Sequence, residues 1–568
     1  MNDIIERYRY FEGEGWEGIA SRCVDYVCGD GYCRDDREGM LGLLKQKKFV
    51  PAGRILRNSG SGRGMLLNCA VIGSGDSREE IGNTLKEVLM VAGTGCGVGI
   101  TGDFWRPRGA KISSGGESSG ALSWFRAINE LGIAVGSGRG RRVAMMFHLS
   151  VDHPDILDFM VAKREEGVLP TANISVGYDH RFIEAVDEGL KWQLRFGGKV
   201  YREMWARDLW DEMVDSALTM GEPGFLNMTL ANQMSNSWYM GELICTNPCG
   251  EQFLMDGDVC CLGSLVLDRF VYDGEFDWIE FGRAIRMGIR FLDAVLDVNE
   301  YPLRRMMEIS RGIRRIGLGV MGLHSALLKM GFRYESEEGR EFIEEMSRFR
   351  MVESYMASIE LAGERGPFEK FDMGRYLESG FVRDLPGDVL KLLMRHGIRN
   401  VTCLTVAPTG TTSLIAGSSS GIEPLFAPVY KVKYRHNGGW KWRYVVDPVL
   451  RDMVKDGRDI SHFCGAKDIG VEYQLEVQKI VSRYVDASVS KTINLPASVG
   501  HEEFSELFLR DAKEVKGFTV YPVGSREDEI LKEVPLTPEI LGKIQRDELN
   551  GYEGSVESIC CRSGSCRI

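Results

Sequence analysis

The sequence predicts an α/β fold with mainly parallel strands. In several long segments apolar residues recur at three- and four-residue steps, which indicates amphipathic helices. Short apolar runs of strand length, such as Val401–Ala407, separate these segments. Strand and helix patterns alternate in this way along most of the chain, an order typical of parallel sheets whose strands are joined by helices.

The elements follow in order from these patterns. The first fifty residues favour helices and end at a Pro51-Ala-Gly53 breaker. The helices predicted after it are Arg78–Val91, Ala121–Val135, Met204–Met220, Asp277–Val298, Glu338–Gly363 and Glu472–Ala487. The predicted strands are Met65–Ile72, Ala172–Gly177, Leu262–Leu267, Val401–Ala407 and Gly517–Tyr521. We therefore expect an N-terminal helical region over 1–50, a main α/β domain over 51–545 and a mobile C-terminal tail over 546–568.

Composition excludes several classes of protein. The 568 residues include 70 Lys and Arg and 82 Asp and Glu, a net charge of −12 that disfavours a nucleic-acid-coating role. No apolar run is long enough to span a membrane, and the N-terminus has no secretory apolar stretch. We expect a cytoplasmic protein with no nucleic-acid or membrane partner, in which the 14 cysteines are mostly thiols.

The segment NPCGEQ carries the densest chemical signal. Asn247, Cys249 and Glu251 stand at alternate positions, so an extended backbone would place an amide, a thiol and a carboxylate side by side. A neighbouring carboxylate makes a thiol a poor nucleophile because it raises the thiol pKa. The pattern suits hydrogen-atom chemistry, with sulfur as a neutral radical and the carboxylate as a base. The alternative is a buried turn in which the cysteine is incidental.

Other cysteines are less informative by themselves. Cys69 lies in a predicted strand, where a free cysteine usually packs as a small apolar residue. Cys260 and Cys261 are adjacent, so on a strand at most one of them can face a common site.

A Gly-, Thr- and Ser-rich stretch from Ala407 to Gly421 follows a predicted strand. A strand that leads through such a turn into a helix can present N–H groups and hydroxyls to an anion. The stretch is not a P-loop, because the G-x-x-x-x-G-K-[ST] pattern is absent. The alternative is an ordinary capped loop.

Six segments, in the order in which the family has them, resemble the catalytic subunits of ribonucleotide reductases, and most closely the adenosylcobalamin-dependent class II. These segments are RRVAMMFHLSVDHPDI, NPCGEQ, RRIGLGVMG, APTGTTSLIAGSSSGIEPLF, VDASVSKTINLPAS and KGFTVYPVGSRE. The resemblance implies a ten-stranded α/β barrel, built from two antiparallel halves of five parallel strands around a central finger loop. It also implies reduction of ribonucleoside di- or triphosphates to 2′-deoxyribonucleotides for DNA precursor synthesis.

The resemblance assigns roles to the cysteines and their neighbours. Cys249 matches the thiyl-radical cysteine at the finger tip, which takes the substrate 3′ hydrogen. Glu251 matches the base for the 3′-hydroxyl proton, and Asn247 matches the amide beside it. Cys69 and Cys260 match the pair that supplies two electrons and becomes a disulfide as the 2′-hydroxyl leaves as water. The assignment of Cys260 rests on register alone, because Cys261 follows it.

Binding and control sites are implied in the same way. The substrate phosphates match the loop of Thr409, Gly410, Thr411, Thr412 and Ser413. Asp76 matches a contact to the deoxyribose of a dNTP or ATP specificity effector, whose phosphates we expect near Arg106, Arg108 and Lys111. The loop Gly136–Arg142 matches the link between effector and substrate choice. The family's N-terminal ATP-binding regulatory domain is not expected, because only about fifty residues precede the first matching motifs.

The implied partners concern redox chemistry and assembly. Cys561 and Cys566 resemble a C-terminal shuttle that is reduced by a thioredoxin- or glutaredoxin-type protein. The C-x4-C spacing lacks two further ligands, so we expect no protein-held metal. The family implies a homodimer.

Three functions remain open from the sequence. The leading one is a class II reductase that uses adenosylcobalamin. The alternative is a class I catalytic subunit, which receives its radical from a separate metal-containing subunit. The cysteine tail favours this alternative. Tyr521 disfavours it, because class I chains resemble one another in a Tyr-Tyr pair at the corresponding segment and this chain has a single tyrosine there. A nucleotide-binding regulator without catalysis is disfavoured, because the catalytic cysteines, the amide and the carboxylate are intact.

Overall fold

The structure is a computed structural model that describes residues 2–29, 31, 33–62, 64–137, 143–165, 167–436, 439–522 and 531–549. The predicted shuttle cysteines Cys561 and Cys566 lie outside the described residues, as does most of the loop Gly136–Arg142.

The helices occupy both the N-terminal region and the connections between strands. Their bounds are α1 (Asn2–Ile5), α2 (Trp16–Cys28), α3 (Arg37–Lys45), α4 (Gly53–Asn58), α5 (Arg78–Gly93), α6 (Ala121–Ser137), α7 (Ile156–Val161), α8 (His180–Asp187), α9 (Ala206–Met220), α10 (Met228–Gln233), α11 (Trp278–Val298), α12 (Arg304–Ile313), α13 (Leu323–Met330), α14 (Glu337–Arg365), α15 (Met373–Tyr376), α16 (Gly380–Arg383), α17 (Gly387–His396), α18 (Gly410–Ala416), α19 (Pro448–Lys455), α20 (Val471–Arg483), α21 (His501–Asp511) and α22 (Pro538–Gln545).

The strands are short and many are fully buried. Their bounds are β1 (Phe49–Pro51), β2 (Cys69–Val71), β3 (Gly97–Thr101), β4 (Met145–Ser150), β5 (Ala172–Tyr178), β6 (Lys191–Phe196), β7 (Lys199–Trp205), β8 (Gly224–Asn227), β9 (Cys245–Thr246), β10 (Phe253–Leu254), β11 (Val259–Cys260), β12 (Leu262–Val266), β13 (Val271–Tyr272), β14 (Glu275–Phe276), β15 (Gly317–Met321), β16 (Val429–His436), β17 (Gly439–Val446), β18 (Thr492–Leu495), β19 (Gly517–Pro522) and β20 (Leu531–Glu533).

Local capping explains where the main helices begin. At the start of α5, Ser77 Oγ accepts a hydrogen bond from the Glu80 N–H, and the Glu80 carboxylate accepts one from the Ser77 N–H. At the start of α11, the Asp277 carboxylate accepts a hydrogen bond from the Glu280 N–H. Each of these bonds satisfies a backbone donor that the first helical turn leaves without a partner.

The largest sheet has eight strands in the order β11-β2-β3-β4-β5-β8-β19-β18. Strands β2, β3, β4, β5 and β8 are parallel to one another. Strand β19 pairs antiparallel with β8 and parallel with β18. All five residues of β3 are buried, as expected for a parallel strand that is covered on both faces.

A second sheet has three strands in the order β1-β12-β15. Strands β12 and β15 are parallel, and single parallel bridges join Leu318 to Leu404 and Val406 to Val489. Only Cys261 separates β12 from β11 of the larger sheet. The predicted α/β class with a large parallel sheet is therefore confirmed.

A short hairpin carries the NPCGEQ segment. Strands β9 and β10 pair antiparallel, with Phe253 opposite Thr246, and the residues between them form the tip. The hairpin lies against β3 and β4. A Cβ atom on Gly99 would be 1.9 Å from the Thr246 carbonyl oxygen, and one on Gly97 would be 2.9 Å from Pro248 Cγ. The absence of side chains at these two positions thus lets the hairpin approach β3.

Most predicted elements are present, but several differ in extent. The predicted strand Met65–Ile72, for example, is formed only over Cys69–Val71. The predicted helix Met204–Met220 begins later, because Lys199–Trp205 pairs with β6 as strand β7. The predicted strand Val401–Ala407 forms only the two isolated bridges at Leu404 and Val406. The N-terminal region ends in strand β1, which pairs antiparallel with β12. Along the described ranges, we find no helix with both the length and the apolar character of a membrane span.

We expect the variant Gly99→Ala to lower the free energy of unfolding by about 3 kcal/mol, because its Cβ meets backbone and not a movable side chain. Urea unfolding followed by circular dichroism would measure this loss. The matched control is Gly82→Ala, in the exposed middle of α5 with no atom near its Cβ position, which should gain up to about 1 kcal/mol. Equal stability of the two variants would contradict the close passage of the hairpin.

Candidate active site

The hairpin tip is a tight turn closed by its own backbone. The Asn247 N–H donates to the Gln252 carbonyl at 3.1 Å, and the Asn247 side-chain oxygen accepts a bond from the Gln252 N–H at 3.1 Å. Gly250 has φ +80°, a left-handed conformation that favours glycine. The Asn173 side chain on β5 donates to the Pro248 carbonyl at 2.9 Å. The tip therefore has a defined shape, and a neighbouring strand holds it.

Glu251, the acid at the tip, has a raised pKa. Its side chain is only 2% exposed, and burial raises its pKa to about 7, while the nearby Asn247 side chain lowers it. Glu251 Oε2 and Asn247 Nδ2 are buried and have no hydrogen-bond partner among the described residues. Buried polar atoms are normally satisfied, so this pair marks a place for a polar ligand or water. Cys249, between them in sequence, is half-buried.

The structure places Cys69 and Cys260 directly opposite each other, on the antiparallel strands β2 and β11. Both are free thiols, and Cys260 is fully buried. Burial raises the pKa of Cys260, and a hydrogen bond with the Cys69 thiol raises it further. Cys261 points away from this pair, because its thiol contacts the Leu292 carbonyl on α11 at 3.5 Å. Tertiary structure thus distinguishes the two adjacent cysteines, which the sequence separated only by the register of the resemblance.

The cysteine pair adjoins the hairpin tip. The position that a Cβ on Gly97 would take is 2.9 Å from Pro248 Cγ and 3.4 Å from Cys69 Sγ, so glycine leaves room between the tip and the thiol. The Glu251 charge is also close enough to raise the pKa of Cys260. The five residues predicted to be catalytic therefore lie together in one place.

The predicted phosphate loop forms the start of helix α18. Thr409 adopts φ +55°, and its Oγ1 accepts a hydrogen bond from the Gly421 N–H at 2.8 Å. Ser413 Oγ lies 2.9 Å from Ser420 Oγ. The loop is thus a folded turn whose two ends are joined by hydrogen bonds. It begins four residues after Thr405, whose hydroxyl contacts the hairpin tip.

Sequence reasoning missed the residues that hold the far end of this helix. Lys47 Nζ donates to the Ile415 carbonyl at 2.7 Å, and Arg269 donates to the Ala416 carbonyl at 2.5 Å. Cations at a helix C-terminus stabilise it by satisfying its last carbonyls. No local motif marks Lys47 or Arg269, because they come from distant parts of the chain.

A partly open cavity of about 380 Å³ lies beside the phosphate loop. Gly410 and Ser413 line it on the loop side. Phe426, Tyr430, Val445 and Asn494 line other parts of it. Charged side chains, among them Asp268, Lys329 and Arg451, also line the cavity, which therefore combines an apolar wall with polar and charged groups.

The predicted effector residues separate into two groups. Arg106 donates its backbone N–H and its guanidinium to the Asp76 carboxylate, at 2.8 and 2.6 Å. It also reaches the Lys111 carbonyl at 3.3 Å. Arg108 instead turns towards Asp158, at 3.9 Å. Asp76, Arg106 and Lys111 are therefore neighbours, whereas the Arg108 side chain points elsewhere.

Comparison with known proteins identifies the family. A family model described as "Ribonucleotide reductase, barrel domain" matches residues 67–521. This chain belongs to the ribonucleotide reductase family. The reductase is 34% identical over 534 residues to a vitamin B12-dependent ribonucleoside-diphosphate reductase of Mycobacterium tuberculosis (strain CDC 1551 / Oshkosh), an alignment that covers 89% of this chain and 75% of that protein.

Two further relatives show the range of the similarity. A vitamin B12-dependent ribonucleoside-diphosphate reductase of Thermoplasma acidophilum is 33% identical to this reductase over 566 residues, covering 94% of this chain and 71% of that protein. The ribonucleoside-diphosphate reductase large subunit of Variola virus is 27% identical over 434 residues, covering 68% and 56%. These two relatives named as B12-dependent are thus more similar to this reductase than the relative named as a large subunit.

We expect Glu251→Gln to stabilise the reductase at pH 8 and to have little effect at pH 5. The raised pKa means that the folded state prefers the neutral acid, so wild-type stability falls as pH rises from about 4.5 to about 7. Removing a buried carboxylate charge should therefore add up to about 3 kcal/mol above pH 7. Urea unfolding at the two pH values measures this difference. A variant that is less stable than wild type at pH 8 would show that the carboxylate is paired in the folded state.

Proposed function

We propose that this reductase converts ribonucleoside diphosphates to 2′-deoxyribonucleoside diphosphates through a thiyl radical on Cys249. The observation that carries this proposal is the buried carboxylate of Glu251, with a pKa near neutrality, beside both Cys249 and a pair of facing thiols. The names of the B12-dependent relatives support the diphosphate substrate.

The tip residues divide the first step between them. The sulfur radical of Cys249 takes the hydrogen atom from C3′, and Glu251 accepts the 3′-hydroxyl proton. A base with a pKa close to the working pH is efficient because much of it is unprotonated and still basic. Asn247 Nδ2, which has no partner among the described residues, would donate hydrogen bonds to a substrate hydroxyl and to the carboxylate. The buried position of these groups strengthens such interactions, because little water competes for them.

The facing thiols supply the electrons. The Cys69 and Cys260 thiols together lose two hydrogen atoms and form one S–S bond, while C2′–OH becomes C2′–H and one water is released. Cys249 then returns the hydrogen atom to C3′, and Glu251 returns the proton to the 3′ oxygen. Atoms and electrons balance, since two thiols supply the two hydrogens that the deoxyribose and the water need. Cross-strand neighbours on antiparallel strands are close enough to be bridged after a small movement.

The oxidised pair must then be reduced by exchange with another thiol pair. We propose Cys561 and Cys566 for this step, followed by a thioredoxin- or glutaredoxin-type protein.

The phosphate loop and its supporting cations would hold the substrate. We propose that Thr409, Gly410, Thr411, Thr412 and Ser413 present N–H and hydroxyl groups to the diphosphate. Lys47 and Arg269 would keep this loop in place by binding the other end of α18. The ribose would then extend from the loop towards the finger tip, because Thr405 contacts the tip four residues before Thr409.

Adenosylcobalamin is the proposed cofactor. The cavity beside the phosphate loop suits part of such a group: Phe426, Tyr430 and Val445 offer an apolar surface, and Asn494 offers a hydrogen-bonding amide. When bound, adenosylcobalamin supplies a radical by breaking its cobalt–carbon bond, and the protein positions and shields that radical. The similarity to relatives named as B12-dependent supports this choice over a class I catalytic subunit.

We also infer that the strands close into a ten-stranded barrel. The parallel bridges at Leu318–Leu404 and Val406–Val489 support closure, because they would connect β15 to the segment that leads into β18. The run of β11 into β12 supports it on the other side, since β11 pairs with β2. Closure would surround the finger with strands and leave no sheet edge.

Assembly and control follow from α5, α6 and the loop that contains Arg106. Helices α5 and α6 pack together and carry the exposed apolar residues Leu89, Met90 and Ile133. Exposed apolar residues of this kind support a homodimer through these helices.

We propose that a dNTP or ATP specificity effector binds near Asp76, Arg106 and Lys111. Arg108 would then turn away from Asp158 and towards the effector phosphates.

The direct test is CDP reduction by the purified chain with dithiothreitol, with and without adenosylcobalamin. We expect turnover only with the cofactor, and none in Cys249→Ser, which should still bind CDP. Activity that instead needs a metal-loaded partner subunit would identify a class I catalytic subunit. The regulator would be favoured if wild type and Cys249→Ser were both inactive with every radical source and bound nucleotides equally well.

A second test uses the adjacent cysteines as a matched pair. Cys260→Ser should abolish multiple turnovers with CDP, because no disulfide can form with Cys69. Cys261→Ser should retain activity within about twofold, since its side chain faces Leu292 on α11. Mass spectrometry after a single turnover without reductant should find the Cys69–Cys260 disulfide in wild type and in Cys261→Ser. Loss of that disulfide in Cys261→Ser alone would contradict the assignment.

A further inference from the structure

Thr405 holds the hairpin tip from a neighbouring strand segment. Its hydroxyl lies 2.8 Å from the Glu251 carbonyl oxygen and 3.1 Å from the Ser488 carbonyl oxygen. The Ser488 N–H donates to the same Glu251 carbonyl at 3.1 Å. Two donors from separate strand segments therefore meet at the backbone of the residue that carries the proposed base.

The surroundings of Thr405 are built to admit this contact. A Cβ on Gly317 would be 2.7 Å from Thr405 Cγ2, and one on Gly319 would be 2.9 Å from the Thr405 carbonyl oxygen. Glycines in β15 thus let Thr405 lie directly against that strand. On the other side, the buried guanidinium of Arg350 donates to the Thr405 carbonyl at 3.3 Å. Thr405 is only 1% exposed, so neither water nor side-chain rotation can easily replace its hydrogen bond.

We propose that Thr405 is a positioning residue for the reaction: its hydroxyl fixes the Glu251 peptide, and through it the Glu251 carboxylate and Cys249. This inference rests on the proposed function of the finger tip. The Glu251 carbonyl is part of the tight turn that includes Cys249 two residues earlier, so a shift of this peptide moves both groups. Reactions of bound groups are sensitive to displacements of about 1 Å, whereas phosphate binding at Thr409–Ser413 does not involve this contact.

The test compares three variants. Thr405→Val keeps the shape of the side chain and removes the hydroxyl, so we expect kcat for CDP to fall about tenfold while KM changes less than about twofold. Thr405→Ser restores the hydroxyl and should recover most of kcat. The matched control is Thr402→Val: Thr402 is also buried, but its hydroxyl bonds to the Ile316 carbonyl at 3.0 Å and not to the finger.

A second measurement does not depend on turnover. Amide hydrogen exchange in peptides covering residues 245–254 should become about fivefold faster in Thr405→Val, but not in Thr402→Val or Thr405→Ser, because one tip hydrogen bond is lost. If wild type has no reductase activity with any radical source, the proposed function fails, and this exchange pattern still decides whether Thr405 holds the tip.

Several outcomes would overturn the inference. One is a Thr405→Val enzyme with kcat within twofold of wild type. Another is an equal fall of kcat in Thr405→Val and Thr402→Val, which would mean that lost stability is the cause. Unchanged exchange at the tip in Thr405→Val would overturn it as well.

Discussion

The structure depends on one steric constraint: the β9–β10 hairpin lies against strands that have no side chains at the points of contact. Gly97 and Gly99 on β3 face the hairpin, and Gly317 on β15 faces Gln252 and Thr405. With even one methyl group at Gly99, the Thr246 carbonyl would have to move. Because the hairpin fits there, its tip is buried beside the facing thiols of β2 and β11, and the chemistry of the site follows from that burial.

Burial has opposite effects on stability and on reactivity. It raises the pKa of Glu251 to about 7, which costs folding free energy at neutral pH but leaves a base matched to that pH. Asn247 Nδ2 and Glu251 Oε2 have no hydrogen-bond partner within the described part of the chain, which is unfavourable without a ligand but leaves both atoms available to one. The surrounding backbone contacts, including those from Asn173, Ser488 and Thr405, offset this cost and hold the tip in one conformation. Such local unfavourable features persist only where the rest of the fold over-determines them.

Residues far apart in sequence together stabilise the candidate site. The predicted phosphate loop leads into α18, and the other end of that helix is held by Lys47 from the N-terminal region and by Arg269 from the segment after β12. The N-terminal region also contributes β1 to the three-stranded sheet, so it is structurally continuous with the main domain. Loss of any of these contacts would destabilise the loop, because a helix of two turns has little stability of its own.

The amino-acid sequence by itself determined the α/β class and most helices, because periodicity is a local property. It also predicted the tip residues Asn247, Cys249 and Glu251 and the phosphate loop, because contiguous motifs are local as well. It assigned Cys260 over Cys261 only by the register of the family resemblance, because adjacent residues on a strand differ only in which face is covered, and that depends on β2 and α11. It also missed Lys47, Arg269, Thr405 and Ser488 as supports of the site. Their partners lie dozens to hundreds of residues away, and such hydrogen bonds exist only once the chain has folded and excluded water from them.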